Sequence, residues 1–165
     1  MSPPDALPVA ELDHLFAARP LGVPHAFTHA LHHVIQTEKA GAWPRVLTPC
    51  GSAHGRSIAA GLDRELARLG HPTLGQLPLE TCVALLERHS ATHGWGVLQL
   101  DLTDAPTHGL VVAHLAHSYF TEVLSDTDHF TDAFLAGVLQ GFFEHVSGQQ
   151  LACHEIACAR LGAPQ

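Results

Sequence analysis

The sequence predicts an α+β fold: N-terminal helices followed by a small antiparallel sheet with an inserted helix. Three observations predict it. Apolar residues recur at helical spacing through residues 24–39, 52–69 and 79–89. The pattern then becomes partly alternating over 95–102 and briefly apolar over 110–115, with Asp104, Pro106 and Gly109 between them, as in a hairpin. Helical spacing returns over 132–146, where Phe134, Leu135, Val138, Leu139, Phe142 and Phe143 share a stripe.

The elements follow in order. Residues 1–8 carry three prolines and read as a loose arm, followed by a short helix over 9–18 that Pro20 and Gly22 end. In 24–39, Ala26, Phe27, Ala30, Leu31, Val34 and Ile35 form the expected core face. The opposite face carries His25, His29, His32, His33 and Gln36. His25, His29 and His32 have the spacing to converge on an ion, but without a neighbouring carboxylate or thiol they read as a solvated polar face. Residues 41–51 read as a connector, because they hold Trp43, Pro44, Pro49 and two glycines. From Ser52 a helix places Ile58, Leu62, Leu66 and Leu69 on one side. In the helix over 79–89, Cys82 falls on the apolar side and reads as a small core residue. A short helix is expected over 117–124 and a polar loop over 125–128. Thr131 or Asp132 reads as the N-cap of the last helix. Gly137 and Gly141 lie four apart inside it, a cost that close backbone packing would offset. Residues 150–156 read as a third strand. The domain expectation is an arm and helices over 1–44 packed on one unit over 45–165.

Composition limits the function classes. The chain has 165 residues, 46% of them apolar and 15% charged, so disorder is not expected. Its formal net charge is −8, with eight basic residues scattered along it and no stripe that could neutralise a nucleic-acid backbone or an anionic membrane. No apolar run reaches the length of a membrane span, and the acidic start lacks the pattern of a signal peptide. A cytoplasmic protein with reduced cysteines is therefore expected. The fifteen histidines read as neutral surface residues.

Chemistry-bearing patterns are few. Signatures of Ser hydrolases, zinc proteases, phosphate-binding loops and dinucleotide folds are absent, so no nucleotide and no catalytic set is expected. Glu122, Asp126, Asp128 and Asp132 lack the order of a calcium loop and read as a solvated loop plus a cap. His89 and His93, at i and i+4, read as neighbours on an exposed face. In Cys153-His154-Glu155-Ile156-Ala157-Cys158, a strand would put Cys153 and Glu155 on one side and His154 on the other.

The second half of the chain resembles the 4-vinyl reductase domain family. The residues that carry the resemblance are Gly55, Gly94-Trp95-Gly96, His117-Ser118, the segment Ala136-Gly137-Val138-Leu139-Gln140-Gly141, and the ending Glu155-Ile156-Ala157-Cys158-Ala159-Arg160-Leu161-Gly162. The resemblance covers residues 45–165. It implies an α+β fold shared with nitric-oxide sensors and vesicle-tethering subunits, and a small-molecule-binding or sensory role. It also implies a zinc held by Cys and Glu, whose places fall on Glu155 and Cys158. An upstream Cys of the family falls on Asp132, and the last one beyond Gln165. The haem-binding Tyr-x-Ser-x-Arg pattern is absent around Ser118, so no haem is expected. The chain is also similar to the D-type accessory family of cellulose synthase, which implies an oligomeric accessory or scaffold role in bacterial cellulose (exopolysaccharide) synthesis. A third expectation is an accessory protein of tetrapyrrole (bacteriochlorophyll) synthesis.

These readings converge on a non-catalytic module that binds a small apolar molecule. Trp95, His117, Phe120 and Phe134 are its expected pocket, with Asp132, Glu155 and Cys158 as expected zinc ligands. The expected state is a homodimer or higher homo-oligomer.

Overall fold

A computed structural model describes residues 23–39, 41–124 and 131–158. The expected arm over 1–8, helix over 9–18, loop over 125–128 and motif end over 159–162 lie outside the described residues. The elements are α1 (His25–Glu38), α2 (Ala42–Arg68), a 3-10 turn (Leu74–Gln76), α3 (Leu79–Thr92), β1 (Val97–Asp101), α4 (Ala105–His108), β2 (Val112–Ala116), α5 (Tyr119–Val123) and α6 (Ala133–Ser147). The chain is thus α+β, mostly helical, with a two-stranded antiparallel sheet. No helix among the described residues is long and apolar enough to cross a membrane.

The central packing is α2 against α6. Gly51 and Gly55 of α2 lie against the α6 backbone at Phe134, Val138 and Phe142, and Gly137 and Gly141 of α6 lie against the α2 backbone at Thr48 and Ser52. A Cβ on Gly55 would stand 2.8 Å from the Phe142 nitrogen, and one on Gly141 would stand 2.8 Å from the Ser52 Cα. Only glycine lets the two backbones approach so closely, which is the compensation expected for Gly137 and Gly141. Arg56 and Glu144 bridge the same pair of helices at 2.9 Å, and His145 reaches Asp63 at 2.7 Å.

α2 corrects the expected connector over 41–51. The helix starts at Ala42 and runs through Pro49. An interior proline costs a helix about 3 kcal/mol locally. Here the segment 42–51 contributes Trp43 and Leu47 to the core and Gly51 to the α6 contact. Tertiary burial of that size outweighs the local cost. The boundary expected at 44/45 falls inside α2.

The main core joins Ile58, Leu62 and Leu66 of α2, Leu74, Cys82, Leu85 and Leu86 around α3, Leu98 of β1, and Val138 and Phe142 of α6. Cys82 is fully buried there, as the sequence predicts. A second core gathers Trp43, Leu47, Val123, Leu124 and Ala133. The hairpin pairs Val97 with Ala116, Leu98 with Leu115, and Asp101 with Val112. Its connection contains α4, which ends at Gly109 in the left-handed region with φ 64°. Gly96 adopts φ 126°, and a Cβ there would lie 2.7 Å from the Ala116 carbonyl oxygen, so the start of β1 requires glycine.

Two further expectations are corrected. Residues 150–156 are not a third strand; residues 150–158 carry no regular structure. Burial still alternates, with Cys153 and Glu155 half-buried and His154 exposed. The segment makes side-chain contacts to α6 instead of a ladder, Leu151 N–H donating to Glu144 at 3.4 Å. The expected core face of α1 is also turned out: Thr28 and His32 are its buried residues, while Phe27, Leu31 and Val34 are exposed. Only Ile35 of the expected face packs partly on the second core.

Candidate functional site

Two groups of side chains stand out. The first surrounds Trp95, in the α3–β1 turn. Trp95 is held by its backbone: its N–H donates to Ser90 O at 3.1 Å, and its carbonyl accepts from Tyr119 N–H at 3.3 Å. Phe134 meets it edge-on at 6.0 Å between ring centroids. His54 lies 5.4 Å from it, His89 5.3 Å and His93 5.8 Å. His54 also faces Phe134 at 5.9 Å. Phe120 continues the row at 5.6 Å from Phe134, and Trp43 follows at 6.3 Å from Phe120.

His89 and His93 are not independent neighbours on an exposed face. One helical turn apart along α3 and its C-terminal cap, their rings stack at 3.9 Å, and both are half-buried. His93 Nδ1 lies 2.9 Å from the His89 carbonyl oxygen. Burial, with His93 and His54 close by, pushes His89 down to about 4. Burial, helped by His93, lowers His54 as well. His54 and His89 are therefore neutral imidazoles at pH 7. Trp95, Phe120, Phe134, His89 and His93 are each half-buried, and His54 is exposed. Apolar faces with a few neutral hydrogen-bonding nitrogens suit a planar or apolar ligand.

Trp95, Phe120 and Phe134 of the expected pocket are thus brought together. His117 is not. It follows β2 with φ 55°, and its ring is exposed and turned to Glu122 at 3.9 Å. A polar residue in a left-handed turn points along the surface there, away from the aromatic row. The expectation missed His54 and His89–His93. The i, i+4 pair immediately before the Gly94-Trp95-Gly96 turn was the available signal for the latter. His54 had none: it lies in the helix expected from Ser52, and its ring contact with the α3–β1 turn has no local signature.

The second group lies at the N-terminus of α6. Asp132 N–H donates to Glu155 at 2.9 Å. Cys158 Sγ lies 3.9 Å from Thr131 Oγ1. The Asp132 carboxylate accepts from the Ser118 hydroxyl and, at 3.0 Å, from the Thr121 hydroxyl. Asp132 occupies the N-cap position but makes no side-chain cap. Glu155 makes the bond to the N-cap N–H that a capping-box Glu normally supplies from within the helix. Burial raises both carboxyls, Asp132 against the two hydroxyl bonds and Glu155 against the bond from the Asp132 N–H.

The three expected zinc ligands therefore share one corner of the fold. As arranged, their oxygens accept from the Ser118 and Thr121 hydroxyls and from the Asp132 N–H. No group of three or more His, Cys, Asp or Glu side chains forms a metal-binding set among the described residues. As arranged, these donors form a capping cluster at the N-terminus of α6.

Comparison with protein-family models, with curated proteins and with solved structures finds no match for this chain. What the fold and the site define is an α+β chain in which α2, α6, α3 and the α3–β1 turn bring aromatic and histidine rings together around Trp95.

Proposed function

We propose that the chain is a non-catalytic binding module of the 4-vinyl reductase type for a small apolar or planar molecule, with Trp95 at the centre of its site. One observation carries the reading: Trp95 meets His54, His89, His93 and Phe134 within ring-contact distance, and none of these rings is fully buried. Half-covered aromatic surface is costly to leave in water and gains from a ligand. The neutral imidazole of His54 at its exposed border would orient that ligand. In this reading the protein is cytoplasmic and passes its signal to a partner.

The test is thermal melting of the full chain with a panel of planar aromatic and apolar compounds, read alongside tryptophan fluorescence. A binder raises Tm by mass action on the folded state. It also changes the emission of Trp95, and Trp95→Phe removes the signal while Trp43, fully buried, stays silent. A panel without any shift sinks the reading. Zinc added to the apoprotein belongs in the same series. A shift that Cys158→Ala abolishes would show that the corner of Asp132, Glu155 and Cys158 rearranges around metal.

A second reading, an oligomeric accessory protein of polysaccharide synthesis, is favoured by a different observation: the outward apolar side of α1. It predicts a large assembly and no ligand-dependent change in Tm.

A further inference from the structure

α1 and the Trp95 site are joined through one residue. Tyr119 is the first residue of α5, and its N–H donates to the Trp95 carbonyl at 3.3 Å. Its side chain reaches the other way. The hydroxyl donates to Val23 O at 3.1 Å, which leaves the Thr28 hydroxyl, 2.9 Å away, to donate to it. The His25 ring stands edge-on to the Tyr119 ring at 5.4 Å. The side chain of Tyr119 thus grips the start of α1, while its backbone grips Trp95.

α1 supplies the element with two states. It has 14 residues, no side-chain N-cap, no acid in its first turn and no base in its last. A helix of that length is marginal in water without tertiary contacts, and these ends add nothing to it. Its helicity therefore depends on docking. Docking uses the Tyr119 contacts, the His32 ring against Trp43 at 4.9 Å, and Ile35 at the edge of the second core.

We propose that Tyr119 couples α1 to the Trp95 site: a ligand in the site tightens the docking of α1, and the Tyr119 hydroxyl transmits the effect. The inference rests on the ligand-binding reading and gives its signal a way out of the site. The basis is geometric. A hydrogen bond weakens steeply as it bends or lengthens. The Trp95 carbonyl fixes the Tyr119 nitrogen, so the position of residue 95 sets where the Tyr119 hydroxyl stands beside Val23 and Thr28. A ligand packed on the Trp95 and Phe134 rings restricts the turn around residue 95. That restriction removes entropy that docking of α1 must otherwise remove, so ligand and docked helix favour each other.

The test is hydrogen–deuterium exchange of the full chain, read on α1 peptides, with α3 peptides reporting global stability. Tyr119→Phe keeps the ring and the N–H and removes only the hydroxyl. Exchange in α1 should rise roughly tenfold, with α3 unchanged. Trp95→Phe alters a ring that packs on His54, His89, His93 and Phe134, none of them in α1. It should still speed α1 exchange, by roughly twofold or more. In the double variant the two effects should combine to less than their product, because the hydroxyl that carries the second is gone. A full product overturns the proposal, as does either single variant that leaves α1 unchanged or speeds α3 equally. A compound that raises Tm through Trp95 should slow α1 exchange roughly fivefold or more in the wild type, and far less in Tyr119→Phe. Equal slowing in both, or none, overturns the coupling and leaves the binding reading standing. The variant cycle needs no compound, so it decides the coupling even where the panel finds no binder.

Discussion

The carboxylate of Glu155 accepts the backbone N–H of Asp132 at 2.9 Å, joining the C-terminal segment to the start of α6 across 23 positions. The segment from Cys153 to Cys158 is held to the fold by this contact and by the burial of Cys158. Loss of the cap should cost about 1 kcal/mol, the usual magnitude for an N-terminal cap. Glu155→Ala should lower the urea midpoint accordingly. Glu155→Gln should not: its amide oxygen can still accept from Asp132. Burial raises the Glu155 carboxyl, so its stabilising contribution is complete below its unfolded value and is lost as pH rises through the folded one. At neutral pH the Gln variant should therefore equal or exceed the wild type in urea denaturation.

His89 gives the opposite pH dependence. Its ordinary value is 6.5, and burial beside His93 and His54 takes it to about 4. Between those values the unfolded chain holds the proton more tightly, so stability rises with pH across the window. The stability is complete above 6.5 and lost as pH falls toward 4, by about 2–3 kcal/mol in total. Urea midpoints measured from about pH 7 to about pH 4 should show the decline. His89→Gln should flatten it, and an unchanged slope in that variant would assign the decline to other groups.

The glycines of α2 and α6 should separate into two classes. Gly55→Ala and Gly141→Ala place a methyl against the opposite backbone, at 2.8 Å from Phe142 N and from Ser52 Cα respectively. Backbone cannot yield as a side chain can, so each should cost about 3 kcal/mol or more. Gly61 of α2 meets only the end of the Arg64 side chain, at 3.8 Å. Gly61→Ala should stabilise the protein by about 0.5–1 kcal/mol through helix propensity. Thermal melts of the three variants test the division.

The cysteines should react unequally. Cys82 is fully buried, its thiol donates to Leu74 O at 3.3 Å, and burial pushes it up to about 11. Cys50 is exposed on α2. At about pH 8 a thiol reagent should label Cys50 in the native protein and reach Cys82 only on unfolding. Peptide mapping after a timed pulse distinguishes them.

Much of this fold was legible from local pattern. The α3 segment, the hairpin around Asp104 and Gly109, and the α6 stripe all follow from short-range periodicity and turn residues. The cost of Gly137 and Gly141 correctly implied a close neighbour. Its identity was not legible, because the backbone it meets, at Thr48 and Ser52, flanks Pro49, a residue that locally reads as a helix breaker. Of the candidate site, Trp95, Phe120 and Phe134 were legible as aromatic residues on adjacent elements. His54 was not, because ring contact between α2 and the α3–β1 turn has no local signature.

By itself, the sequence determined which segments form most of the helices and the hairpin, that no basic stripe exists, and that the α6 glycines need a close neighbour. These properties depend on neighbours in the chain. Only the tertiary structure decided that α2 continues through Pro49, that residues 150–158 cap a helix and add no strand, and that α1 presents Phe27 and Val34 outward. Each depends on competition between a local preference and contacts made across the fold. Packing against α6 outweighs the proline. The Glu155 bond to Asp132 replaces a strand ladder. Two bonds to the Tyr119 hydroxyl and one ring contact with Trp43 decide which side of α1 meets the core.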